Sequence, residues 1–169
     1  MSVPFPEPTG PASSRTEVLL RYLDYFRSVV LAKTDGLSED QLRGSVLPSG
    51  WSPLELVKHL TYVELRWLEW GFEGRPVRDP WADNDGDRWQ VGADETSQEL
   101  FDALVRRGEE TAAIARRHDL AEIGVPGERW DGADPASLER VLLHLVQEYA
   151  RHAGHLDVVR ELLDGTTGE

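Results

Sequence analysis

Residues 138–163 read LERVLLHLVQEYARHAGHLDVVRELL. Leu138, Val141, Leu145, Leu156, Val159 and Leu163 recur in steps that keep them on one face of a helix. Glu148 and His152 occupy that same stripe where apolar residues would continue it. A carboxylate and an imidazole therefore point inward one turn apart. Leaving such groups buried without partners costs several kcal/mol, so a metal, a buried cation or trapped water must compensate them. A pair four residues apart lies about 6 Å apart along the axis, close enough for both side chains to lean onto one ion. Arginine or backbone groups could satisfy the same pair.

An earlier helix offers a third member. His59 shares a face with Leu56, Val63 and Trp67. Two imidazoles and a carboxylate form a usual donor set for a divalent catalytic metal with an open position. His155, three residues after His152, is either a fourth ligand or a residue that orients one, and His144, one turn before Glu148, reads as a core-edge histidine near the same face. His118 sits near a helix C-terminus and receives no role. Arg66, two turns beyond His59, reads as a solvated surface arginine that could meet a carboxylate of a thiol cofactor. Trp51, Trp67 and Trp70 read as packing residues.

Around these residues the chain divides into four helices. The first spans about Ser14 to Lys33, with Leu19, Tyr22, Phe26, Val29 and Val30 as its inner face. Ser52, Pro53 and Glu55 form a strong start for the second, which carries His59 and runs to about Phe72. Residues 73–95, EGRPVRDPWADNDGDRWQVGADE, read as a long solvated crossover; its DNDGD run fails the spacing of a calcium loop. Thr96 and Glu99 open the third helix, which runs to about His118 with a small-residue face at Ala103, Gly108, Thr111 and Ala115. Asp134 and Pro135 start the fourth, ending near Asp164 and Gly165. No strand pattern or internal repeat stands out. The expected architecture is an all-α four-helix bundle over residues 14–165, a fold that builds metal sites from inward-facing side chains. Residues 1–13 hold four of the ten prolines and should form an extended arm, with the body or a partner subunit of a homodimer as the surfaces it could cover.

Composition narrows the chemistry. The 169 residues suit one domain with a substantial core. The absence of cysteine rules out disulfides, thiolate metal ligands and a cysteine nucleophile, so any thiol chemistry needs an external thiol. A net charge of −13 argues against nucleic acid or anionic membrane as partners. The N-terminal stretch lacks a signal-peptide pattern, and a cytoplasmic location is expected. There is no phosphate-binding glycine loop or nucleophile elbow, and no side chain stands out as a catalytic residue.

Two stretches, WSPLELVKHL at 51–60 and HLVQEYARHAGHL at 144–156, carry a resemblance to the DinB/YfiT-like superfamily. The chain is similar to its actinobacterial-type DinB proteins, which include mycothiol-dependent members. The resemblance implies that His59, Glu148 and His152 bind a divalent metal, with zinc first and nickel as the alternative. Many relatives have histidine where this chain has Glu148. The glutamate form resembles the metal-binding domain of mycothiol-dependent maleylpyruvate isomerase, whose second domain has no counterpart here, so that reaction does not carry over. What the resemblance implies is a metal-dependent transferase that joins a low-molecular-weight thiol, mycothiol, to a small electrophile. A metal-dependent hydrolase and a non-catalytic metal or small-molecule binding protein are the alternatives.

Overall fold

The computed structural model describes residues 4–168. Helix α1 covers Arg15–Thr34, a short α2 Glu39–Arg43, α3 Pro53–Glu64, α4 Ser97–Arg117 and α5 Leu138–Asp164. Each of the four long helices begins on a hydroxyl cap: Ser14, Ser52, Thr96 and Ser137 accept a hydrogen bond from a first-turn amide. At Ser52 and Thr96 the glutamate three residues on returns a bond to the cap amide, as the sequence predicts. Gly165 closes α5 in the left-handed conformation at φ 78°.

The four long helices form a ring in which α1 and α3 each pack against α4 and α5. The α1–α3 and α4–α5 connections therefore cross the bundle diagonally, which is why both need long connectors. The all-α expectation holds, and no helix among the described residues is long and apolar enough to cross a membrane. Of the N-terminal arm, residues 1–3 lie outside the described residues. From residue 4 onward it lies on α1, where Phe5 meets Tyr22 and Tyr25 edge to face and Arg21 donates to the Pro11 carbonyl.

Several elements differ from the sequence reading. The last helix starts at Leu138 rather than at Asp134–Pro135, because residues just before it pair with the preceding loop: Ile123 bridges Ser137 and the Gly124 amide donates to Ala136. The α1–α3 connector contains α2, with its own capping box at Ser38 and Gln41. The crossover expected to be irregular holds a hairpin, Asn84–Asp85 against Arg88–Trp89, turning at Gly86 with φ 61°. Beyond Glu64, α3 continues as a π-helix over Leu65–Phe72, a wider coil that sends Trp67 toward Trp130 and Trp70 toward Trp81.

The buried face of α1 is the largest difference. Leu20, Leu23, Arg27, Val30 and Thr34 are buried, while Leu19, Tyr22, Phe26 and Val29 are only partly covered. An apolar count excludes Arg27 from the core, yet tertiary partners compensate it there. Its Nη2 donates to Glu64 Oε1 at 2.9 Å, and the Glu64 carboxylate also accepts from Thr111 and Tyr149. These four residues come from α1, α3, α4 and α5, so one polar network ties the whole bundle together. Burial works against the Arg27 charge, but Glu64 keeps it firmly protonated; burial together with Glu64 raises the Tyr149 hydroxyl well above its usual range. Gly108 on α4 makes room for this arginine, since a Cβ there would run into the guanidinium.

Candidate metal centre

α3 delivers His59 in its second turn, and α5 delivers Glu148 and His152. One nitrogen or oxygen of each lies within 4.8 Å of the others. Glu148 Oε2 stands 4.0 Å from His59 Nε2 and 3.4 Å from His152 Nε2. His152 is buried, and Glu148 is partly open to solvent with a side-chain exposure of 22%. All three residues singled out in the sequence thus meet at one place.

The crossover loop supplies what the sequence reading missed. Asp83, expected in a solvated loop, is fully buried. Its Oδ2 lies 3.1 Å from His59 Nδ1, and Arg66 binds both its oxygens at 2.6 and 3.1 Å. Arg66, read as solvated, is itself buried and donates a further bond to the Pro80 carbonyl, with its guanidinium over Trp81. Burial alone would raise the Asp83 carboxyl, but the His59 hydrogen bond and the Arg66 charge hold it below its usual range. An ionised carboxylate can only accept, so His59 Nδ1 donates to Asp83 and Nε2 is the ring nitrogen that faces Glu148 and His152. Trp89 stacks on the His59 ring, with centroids 4.2 Å apart and planes 21° apart, and its edge meets His152. Two tryptophans in an otherwise polar loop were the available signal.

The flanking histidines hold different places. His155 Nδ1 faces His152 Nδ1 at 3.3 Å, while its ring lies beside Trp51, so it touches the far side of the His152 ring rather than the Glu148 side. His144, read as a core-edge residue, brings Nε2 to 3.6 Å from Glu148 Oε1 and packs on Trp67. Burial lowers its pKa and the nearby Arg129 adds to that, against the pull of Glu148. His118 pairs with Glu122 on the surface, away from this cluster.

Burial, followed by the neighbouring His59 and His155, pushes the His152 imidazole down to about 3. A neutral imidazole is the form that can donate a lone pair to a cation. The shift also sets an acid sensitivity. Between the ordinary 6.5 of an unfolded histidine and about 3, the unfolded chain binds a proton that the folded one does not. Stability is therefore full above that window and falls as pH drops through it, by up to about 1.4 kcal/mol per pH unit. Asp83 adds to the fall at the acid end, because its folded value is lowered as well. Urea unfolding of chelator-treated protein from pH 7 to pH 4 is expected to show this slope, and His152→Gln to flatten it.

The donor set fits a divalent ion: two imidazole nitrogens and one carboxylate oxygen, one ring already oriented by a buried carboxylate. A comparison with curated proteins finds no match. A family model described as mycothiol-S-transferase matches residues 18–165, a span that takes in most of α1, the Asp83 loop and all three donors. On that match, and with the helical bundle in hand, the chain belongs to the mycothiol-S-transferase family, a DinB/YfiT-like family.

Proposed function

We propose that this protein is a metal-dependent S-transferase that conjugates mycothiol with a small electrophile. The observation that carries the reading is the convergence of His59, Glu148 and His152, with His59 fixed by Asp83, in a family member that has no cysteine of its own. His59 Nε2, Glu148 Oε2 and His152 Nε2 would hold the ion, with zinc the preferred metal and nickel the alternative. The bound cation would lower the pKa of a thiol beside it and so favour the thiolate at neutral pH.

The chain's own residues do the rest. Asp83 and Arg66 hold His59 in one tautomer and one orientation, and Trp89 covers the ring against water. His144, favoured in its neutral form by burial, stands beside Glu148 where its ring can take up the proton a thiol releases on ionising. In the transfer the thiolate sulfur forms a C–S bond to the electrophilic carbon and the leaving group departs with its electron pair.

The test offers metal-loaded protein a haloarene or bimane electrophile with mycothiol, glutathione, cysteine or no thiol. Conjugate should form above background with mycothiol and not in its absence. Equal turnover without thiol would favour hydrolysis by an activated water, and no turnover with any thiol would favour a binding role. Asp83→Asn is expected to weaken metal binding about 10- to 100-fold, because an amide no longer dictates the His59 tautomer. Competition with a chromophoric chelator measures this directly, and an unchanged affinity would remove Asp83 from the site.

A further inference from the structure

Among the described residues Arg129 is a cation without an anion. It lies in a 3-10 turn, Glu128–Trp130, in the connector between α4 and α5. Six other arginines lack a carboxylate partner among the described residues, Arg21, Arg78, Arg88, Arg106, Arg140 and Arg151, and all are exposed to water. Among the described residues Arg129 alone is both partly buried and unpaired. Its Nε–H is buried with no acceptor, and among the described residues no hydrogen bond or ion pair engages its terminal nitrogens. In a chain with 31 acidic residues, none of those described has been recruited to it.

The turn holds this side chain in place. The guanidinium lies 3.9 Å from the centre of the Trp67 ring, and the neighbouring Trp130 is anchored by its indole donating to the Val125 carbonyl at 2.9 Å. Gly71 leaves room for the arginine stem, since a Cβ there would lie 3.2 Å from Arg129 Cγ. Stacking on tryptophan favours a cation, but it leaves the planar hydrogen-bonding fork unused. Trp67 links this arrangement to the metal centre: it packs on His144 with centroids 4.6 Å apart, and His144 Nε2 is 3.6 Å from Glu148.

We propose that Arg129 binds the carboxylate of the electrophilic substrate, so that the protein selects electrophiles bearing a single negative charge. One free guanidinium matches one carboxylate, for which its fork geometry is suited. Arg66, the other cation on this side, is already neutralised by Asp83 and adds no free charge for a phosphate dianion. The identification of the ligand as a co-substrate rests on the S-transfer reading above; the anion site itself does not.

Binding is tested without turnover. Wild-type protein is titrated with 3,5-dinitrobenzoate and with 3,5-dinitrobenzamide, both lacking a leaving group, and quenching of tryptophan fluorescence is followed; Trp67 and Trp130 flank the site. The benzoate should bind at least tenfold more tightly than the amide. Arg129→Gln should erase that preference, and Arg129→Lys should keep part of it. Equal affinities in the wild type, or a preference unchanged in Arg129→Gln, would overturn the assignment. In a second arm, 4-chloro-3,5-dinitrobenzoate and the matching benzamide are offered with mycothiol. The C–S bond forms, chloride leaves and the thiol proton passes by way of His144 to solvent. The ratio of kcat/KM for the two should fall about tenfold in Arg129→Gln. An Arg129-dependent binding preference with no conversion of either compound would sink S-transfer and leave the anion site standing. Conversion of both with the same ratio in wild type and variant would do the reverse.

Discussion

Alanine in place of His152 is expected to cut divalent metal affinity by more than about 100-fold and to take thiol conjugation to background. The loss of a ligand should exceed the roughly 10- to 100-fold that follows the loss of a group merely orienting one. The wild-type protein should hold about one ion per chain, and His59→Ala and Glu148→Ala should each lower that occupancy. His155→Ala is the informative contrast. Its ring meets the Nδ1 side of His152, away from Glu148, so its loss should weaken binding far less than the loss of His152. Elemental analysis after dialysis checks each variant. A Glu148→Ala protein with full metal content beside an empty His155→Ala protein would reassign the third ligand to His155. Helical circular dichroism should survive chelation at room temperature, because the bundle's buried apolar core does not depend on the donors.

Glu64→Gln is expected to cost about 3–5 kcal/mol, the range for removing one partner of a buried ion pair. At this chain length that corresponds to a melting temperature lower by roughly 6–20 °C. The reason is asymmetric. The variant leaves the buried Arg27 guanidinium with only the solvent-exposed Asp24, 2.7 Å from its Nη1, as counter-ion, and its Nε already lacks a partner. Changing both, Glu64→Gln with Arg27→Met, should be milder than Glu64→Gln alone, since no uncompensated charge remains inside. Urea unfolding of the single and double variants decides this; a double variant less stable than the single one would show that the pair stabilises the bundle beyond mere compensation. Because Tyr149 follows Glu148 on α5 and bonds Glu64, the single variant should also loosen the metal centre and lower its affinity.

The helices, their caps and the polar interruption of α5 were legible in the sequence because each is a local signal. A serine before a proline and a glutamate three residues on specify a helix start whatever lies elsewhere in the chain. A 3.6-residue period puts Glu148 and His152 on one face without reference to a partner. From these, the bundle and the meeting of His59 with the α5 pair could be anticipated. Tertiary structure alone decided which polar groups the bundle would bury. Arg27 reads as a surface residue until Glu64, Thr111 and Tyr149 arrive from three other helices. Asp83 reads as part of a solvated acidic loop until Arg66 and His59 enclose it. Arg129 reads as one arginine among 16 until the fold presses it against Trp67 and, among the described residues, brings it no carboxylate. Local patterning reports the preference of a residue for water or for the core, whereas the fate of a charge depends on which distant groups the fold places within hydrogen-bonding reach, and that no window of sequence contains.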